Sequence, residues 1–203
     1  MDRKIIVYDF DKTLTYKDTL FGFFLHSSSK NFLFPFKVLF YYALMIGAWL
    51  KLITNTNLKE YGIRLFLKEK RVSYLRKVST SYVERIRFNK LFSELNFNDD
   101  NIFYIASASF EVYLKIIFPE HVNILASQIK YVNNRVKGLK FNCYGENKIN
   151  ALAKYGVKKI DVLFTDSYND YPLASISKKI IIVKEDQLIE FNNIESFKTY
   201  FGR

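Results

Sequence analysis

Asp9 and Asp11, two carboxylates spaced i, i+2, stand where a short apolar run gives way to a turn, in the text Asp9-Phe10-Asp11-Lys12-Thr13. Side-chain direction along an extended chain repeats every two residues, so both acids can face one pocket. The turn also leaves the backbone carbonyl of Asp11 free to bind a cation. Crowded carboxylates repel, and the arrangement costs energy unless a proton or a divalent ion offsets the charge. Ligation by oxygen alone selects a hard ion, and Mg²⁺ is the expected cofactor. Other polar positions stand in the same relation to the chain. Ser107 follows a second apolar run, Lys148 opens a helical pattern after Gly145-Glu146-Asn147, and Asp166-Ser167-Tyr168-Asn169-Asp170 follows a third run. Each has a duller role open to it: Asp9 and Asp11 as loop-capping carboxylates, Ser107 and Asp170 as helix N-caps, Lys148 as a solvated lysine. His26 and His121 have no partner in a recognisable triad, and Cys143 reads as a small buried filler.

The elements that must position these residues are legible from hydrophobic runs. Ile5-Ile6-Val7-Tyr8, Ile102–Ala106, Val162–Phe164 and Ile180–Val183 are short, apolar and rich in β-branched or aromatic residues, as parallel strands covered on both faces are. Helical patterns at Phe110–Ile117 and Lys148–Lys154 lie between them. This alternation predicts an α/β fold: a doubly wound, Rossmann-like, mostly parallel sheet, with its ligand outside the carboxyl ends of the strands. Residues 15–91 break the alternation and read as successive helices, roughly Lys17–Leu25, Phe36–Leu52, Leu58–Glu69 and Ser73–Phe88. The expected organisation is therefore a core of residues 1–14 and 92–203, with residues 15–91 as an all-helical cap inserted after the first strand. Within the core, Val122–Phe141 predicts a small hairpin about Asn133-Asn134.

The 203 residues carry 31 Lys+Arg against 20 Asp+Glu, a net charge of +11 with a pI near 9.5, which predicts an anionic partner. No nucleic-acid recognition motif accompanies the charge. The basic excess gathers in the insertion, where residues 59–90 hold ten Lys and Arg against Glu60, Glu69 and Glu84. Gly (7) and Pro (3) are too scarce for a turn-rich β-sandwich. One cysteine excludes an intramolecular disulfide and fits a reducing compartment. With only a four-residue apolar run before Asp9, no secretory leader is expected, and the cytoplasm is the expected location. Phe32–Ile53 is strongly apolar and aromatic, yet its uncharged stretch Val38–Leu50 is too short to span a bilayer, which takes about 20 residues. Two readings compete: a lid helix buried in the cap, or an in-plane helix meeting the anionic inner face of the cytoplasmic membrane through its aromatics and flanking lysines.

Asp9-Phe10-Asp11-Lys12-Thr13, Ser107, Lys148 and Asp166-Ser167-x-x-Asp170, in this order, resemble the four motifs of the haloacid dehalogenase-like phosphohydrolases. The insertion looks like the helical cap of the phosphoserine phosphatase relatives. The resemblance implies a phosphomonoesterase in which Asp9 is the nucleophile that forms an aspartyl-phosphate and Asp11 the general acid and base. It implies that Asp9, the carbonyl of Asp11, and Asp166 hold Mg²⁺, and that Ser107 and Lys148 bind the phosphoryl group. Thr13, Ser167 and Asp170 would orient these groups, Thr13 also touching substrate, and Asp18 would reach the substrate from the cap. Three positions depart from the family pattern: Lys12 and Thr165 stand where many relatives have Gly, and Phe110 where Pro is frequent. Phosphoserine phosphatases usually carry Glu where this chain has Asp18. Thr13-Leu14-Thr15, Asp18-Thr19-Leu20, the stretch Phe32–Ile53 and Asn123–Gln128 look more like the bacterial phosphatidylglycerophosphatase C branch. That likeness implies a lipid phosphate, phosphatidylglycerophosphate, as substrate. A soluble phosphatase of phosphoserine or another metabolite, and an idle phosphate- or membrane-binding module, are the alternatives.

Overall fold

The computed structural model describes residues 3–28, 31–98 and 100–202. The apolar run after Arg3 forms β1 (Lys4–Tyr8), which ends at Asp9. The chain then builds the helical block: α1 (Leu20–Ser27), α2 (Phe34–Trp49), α3 (Asn55–Gly62) continuing as a π-helical turn (Ile63–Leu67), α4 (Val72–Val83) and α5 (Lys90–Glu94). The core resumes with β2 (Asn101–Phe110), α6 (Glu111–Ile117), β3 (Asn123–Val132), β4 (Arg135–Phe141), α7 (Glu146–Ala153) and β5 (Ile160–Thr165). It closes with α8 (Tyr171–Ala174), β6 (Ser177–Lys184), β7 (Gln187–Phe191) and α9 (Ile194–Tyr200).

The seven strands form one sheet in the order β4-β3-β2-β1-β5-β6-β7. Its five inner strands run parallel, and β4 and β7 pair antiparallel at the two edges. Val7 lies opposite Tyr104 of β2 on one side and Leu163 of β5 on the other. From β1 the chain winds outward first through β2 and β3, later through β5 and β6. The carboxyl ends of β1, β2 and β5 therefore border the topological switch point, where doubly wound sheets bind ligands. The expected α/β fold is the one observed. The hairpin about Asn133-Asn134 is present within the expected Val122–Phe141, and its first strand, β3, also joins the main parallel sheet. Both asparagines take left-handed backbone (φ 49° and 58°), the conformation a two-residue turn needs to match strand twist.

The helical block packs on one face of the sheet through a continuous aromatic interior in which Phe10, Phe23, Phe24, Tyr41, Phe110 and Tyr113 are all buried. Residues 14–16 and 87–89 run side by side at its entry and exit: Tyr16 N donates to Arg87 O (3.1 Å) and Asn89 N to Leu14 O (3.1 Å). This pairing ends the last long helix at Val83, short of the expected Phe88. The block is also tied to the sheet edge, where Leu139 N donates to Glu60 Oε2 (2.7 Å) and Glu69 N to Val136 O (3.0 Å). The expected helix Leu58–Glu69 instead starts at Asn55, because the Thr54 hydroxyl accepts from Asn57 N (3.1 Å) as an N-cap, and it loosens into the π turn after Gly62. Gly62 is required by contact: a Cβ there would lie 2.3 Å from the Phe24 ring. α2 ends at Trp49, before Lys51 turns left-handed (φ 62°).

The reading of Phe32–Ile53 as a buried lid helix is corrected. Of α2 only Tyr41 is fully buried, while Phe32 is 83% exposed, Leu39 70%, Trp49 80% and Leu52 79%. Among the described residues no helix is long and apolar enough to cross a membrane.

Candidate active site

A cleft of about 260 Å³ opens at the carboxyl ends of β1, β2 and β5. Asp9, Asp11, Lys148, Asp166 and Asp170, drawn from three separate stretches of chain, all line it. Wider grooves of about 560 and 700 Å³ lie elsewhere, beside Arg76, and neither brings two carboxylates together.

Asp9 follows the last residue of β1 and is anchored by its own N–H, which donates to Phe164 O of β5 (2.9 Å). Its side chain is almost fully buried, and Lys148 Nζ donates to its Oδ1 at 2.7 Å. The same ammonium lies 2.6 Å from Asp170 Oδ1, so one buried lysine bridges two buried acids. Burial pulls the Lys148 ammonium toward neutrality, but Asp170 and Asp9 overcome it and hold its pKa above the ordinary lysine value. Asp9 itself is pushed well above the usual carboxylate range. Burial is the main cause, Lys148 opposes it, and the charges of Asp170 and Asp166 add to it.

Asp11 lies in the turn after β1, with both carboxylate oxygens held. Thr19 N (2.7 Å) and Thr19 Oγ1 (2.6 Å) donate to Oδ1, and Ser109 Oγ donates to Oδ2 (2.5 Å). Thr19 opens the helical block and Ser109 lies in β2, so the carboxyl of Asp11 ties that block to the sheet. Its pKa is raised to about 6 by burial and by Asp18, against the lowering hydrogen bonds of Ser109 and Thr19. Such a group exchanges its proton near neutrality, as a general acid and base requires.

Asp166 follows β5 and is also raised to about 6, by burial and by Asp170, while Lys12 and Lys148 oppose the shift. Asp170 is fixed by Thr165 Oγ1, which donates to its Oδ2 at 2.7 Å. The Thr at the end of β5, one of the three departures from the family pattern, thus aims the acid that pairs with Lys148. Lys12 takes a left-handed φ of 60°, strained for a side chain with a Cβ and free of cost for Gly, which accounts for the frequency of Gly there among relatives. Phe110 packs in the aromatic interior.

The remaining expected residues are placed as follows. Thr13 lies buried beneath Asp9, its hydroxyl 3.5 Å from Asp9 Oδ2, and is absent from the cleft wall, so a direct substrate contact does not follow from its position. Ser107 is fully buried where β2 meets the cleft, and its Oγ accepts from Ser109 N (3.0 Å). The wall beside it is formed by Ala108 and Ser109. Asp18 lines the cleft from the cap, exposed, with Oδ1 accepting from Leu20 N (3.0 Å). Ser167 lines it too, its Oγ accepting from Asn169 N (3.1 Å) and Asn169 Nδ2 (2.9 Å). Lys148 is no solvated lysine: it is 3% exposed.

Ser109 and Lys59 are among the wall residues that the sequence reading does not single out. Ser109 had no spacing signal apart from Ser107. In the sequence Lys59 is one of the ten basic residues of 59–90; in the fold it is 1% exposed. Its ammonium donates to Ala108 O (2.5 Å), Ser127 Oγ (2.9 Å) and Asn142 Oδ1 (2.5 Å), and burial, the main cause, pushes its pKa down to about 7. Its acceptors come from three distant stretches, so nothing local marks it.

Among the described residues no three His, Cys, Asp or Glu side chains gather as a metal cage. The cleft offers a different donor set, Asp9 and Asp166 beside the main chain of Asp11. Five aspartates line it (Asp9, Asp11, Asp18, Asp166, Asp170) against three lysines (Lys12, Lys59, Lys148), an excess of two negative charges in a chain that is +11 overall. Hard oxygen donors with that excess fit Mg²⁺, which takes one or two carboxylates and completes its shell with water and substrate phosphate.

Paired acids at the switch point of a mostly parallel sheet, countered by a buried lysine, define a Rossmann-like α/β protein with an acid-lined cleft. The chain belongs to the haloacid dehalogenase-like hydrolases, whose pattern it matches over residues 6–175. Among solved structures it is similar to a protein of unknown function from Bordetella pertussis Tohama I (16% identity, 86% of each chain covered, TM-score 0.69). It is also similar to a phosphoserine phosphohydrolase-like protein from Francisella tularensis (17% identity, 88% of this chain and 86% of that one, TM-score 0.62). A substrate-bound phosphoserine phosphatase matches over 98% of this chain and 99% of its own (16% identity, TM-score 0.57). At such identities these likenesses speak to the fold. No curated protein sequence matches the chain.

Proposed function

We propose that the chain is a Mg²⁺-dependent phosphomonoester hydrolase that works through an aspartyl-phosphate on Asp9, and that it acts on a lipid phosphate. The observation that carries the reaction is the meeting of Asp9, Asp11, Lys148 and Asp166 in one cleft. An oxygen of Asp9 attacks phosphorus in line as the phosphorus–ester oxygen bond breaks, and the carboxyl of Asp11 gives its proton to the departing oxygen. A water then attacks the phosphoryl group, passing a proton to Asp11, and inorganic phosphate leaves with Asp9 restored. Lys148, already on Asp9 Oδ1, holds charge at the phosphoryl oxygens beside the wall that Ala108 and Ser109 of β2 form; Ser107, fully buried behind that wall, makes no contact there from its present position. Asp9, Asp166 and the carbonyl of Asp11 would hold Mg²⁺, which would supply the positive charge that admits an anionic phosphate to a negative cleft.

The substrate class rests on what borders the cleft. Leu20 and Asn55 line it, and they stand at the ends of the segments that flank the exposed apolar helix α2. A phosphorylated amino acid is the second reading, favoured by the likeness to phosphoserine phosphatases over nearly the whole chain. A panel of phosphatidylglycerophosphate, phosphoserine and an aryl phosphate with Mg²⁺ tests both. The expected result is the highest kcat/KM for the lipid phosphate; preference for phosphoserine overturns the lipid reading, and no turnover of any of them overturns the reaction.

A further inference from the structure

We propose that the outer face of α2, with the loop that follows it, is an in-plane docking surface for an anionic lipid bilayer. This inference does not depend on turnover, so its test and the test of the reaction fail separately.

Apart from Lys37, α2 carries no charge on any side. Its inner stripe is spent on packing: Tyr41 stacks on Phe21 (ring centroids 5.5 Å apart) and meets Phe24 and Phe66 edge-on (both 5.6 Å). The outer side, where a water-facing helix carries charge, presents Leu39, Ile46 and Trp49 instead, continued by Phe32 before the helix and Leu52 after it. A contiguous patch of large apolar side chains marks an interaction surface.

The charge around the patch selects the partner. No Asp or Glu occurs between Asp18 and Glu60, in a chain that holds 20 of them, while Lys37 lies half-buried within α2 and Lys51 stands exposed in the loop after it. A second copy would bring the same lysines and the same +11 into contact and repel. An anionic bilayer attracts them, and it accepts apolar side chains with Trp and Tyr at the headgroup level. The 16 residues of α2 are too few to span a bilayer, so the helix lies along the surface. Docking there sets the cleft beside the lipid: Phe21, in ring contact with Tyr41 and Tyr42, follows Leu20 on the cleft wall, and the loop after α2 leads directly to Asn55 on that wall.

Trp49 is the sole tryptophan of the chain and is exposed, so its emission reads the docking directly. The full chain is titrated with vesicles of phosphatidylglycerol and phosphatidylcholine, and with phosphatidylcholine alone. The expected result is a blue shift and protection from acrylamide with the anionic vesicles, at least tenfold weaker with the neutral ones. Lys37→Gln/Lys51→Gln lowers the anionic affinity about thirtyfold. Leu39→Glu/Ile46→Glu abolishes the shift while keeping the parent's circular dichroism and urea midpoint, which shows that it folds. Emission and quenching untouched by anionic vesicles overturn the proposal. So does a lipid-free blue shift that grows with protein concentration alongside a dimer in sedimentation, which assigns the face to a second copy.

Discussion

Replacing Lys148 by Met tests whether the cleft is held together by one buried counter-ion. In the parent chain the ammonium lies 2.7 Å from Asp9 Oδ1 and 2.6 Å from Asp170 Oδ1, and the three side chains are 4%, 11% and 2% exposed. Removing one partner of a buried ion pair costs about 3–5 kcal/mol, because the remaining charge is stranded without water. Here two acids are stranded at once, so the upper part of that range is expected, a large share of the roughly 5–15 kcal/mol that stabilises an ordinary domain. The loss depends on pH with a definite sign. Asp9, already pushed above the usual carboxylate range by burial, loses the charge that opposed that push, so the folded variant binds more protons than the unfolded chain. The penalty is then greatest above neutrality and shrinks as pH falls toward 5. Urea unfolding followed by circular dichroism at pH 8 and pH 5.5 measures both effects. Lys148→Met/Asp170→Asn serves as the control: it removes one stranded charge and should be more stable than the single variant at pH 8. A loss under about 1 kcal/mol at pH 8, or a double variant less stable than the single one, refutes this account of Lys148.

Asp11→Asn should slow hydrolysis of an alkyl phosphate by about 10²–10⁴-fold, but slow an aryl phosphate much less, since a phenolate leaves without help from a proton. Equal losses on both substrates in steady-state assays would remove the general-acid role. Lys59→Gln should change how stability responds to pH. The Lys59 ammonium is pushed down to about 7, so between there and the ordinary value of 10.5 the folded chain holds fewer protons than the unfolded one. Its contribution to stability therefore rises with pH across that window, by up to about 1.4 kcal/mol per unit. Parent minus Lys59→Gln, from denaturant unfolding at pH 7 and pH 9.5, should carry this slope; a flat difference contradicts it.

What the sequence shows of this molecule follows the range of the interactions involved. β1 is legible because Ile5-Ile6-Val7-Tyr8 is covered on both faces, and the turn at Asn133-Asn134 because asparagine tolerates the left-handed backbone found there. Asp9, Asp11, Lys148, Asp166 and Asp170 could be picked out because each follows a strand or opens a helix whose pattern is local. Lys59 could not, since its burial depends on Ala108, Ser127 and Asn142, and a lysine on a basic helix gives no sign of such partners. Ser109 differs from Ser107 only in facing Asp11 across the turn. For α2 the apolar composition was plain but the exposed face was not. When apolar residues fall on every side of a helix, periodicity cannot say which stripe the fold covers. The end of α4 at Val83 was hidden for another reason: the residues after it leave helical geometry to pair with Tyr16 and Leu14, some seventy positions earlier.

The central claim is that Asp9 carries the phosphoryl group. Acid quenching of the enzyme during turnover of an aryl phosphate with Mg²⁺, followed by peptide mass spectrometry, locates any covalent phosphate. The account predicts one acid-stable, hydroxylamine-labile phosphoryl group on Asp9, absent from Asp9→Asn, which should also lose turnover. A phosphoryl group on another residue, or parent-like turnover by Asp9→Asn, contradicts it.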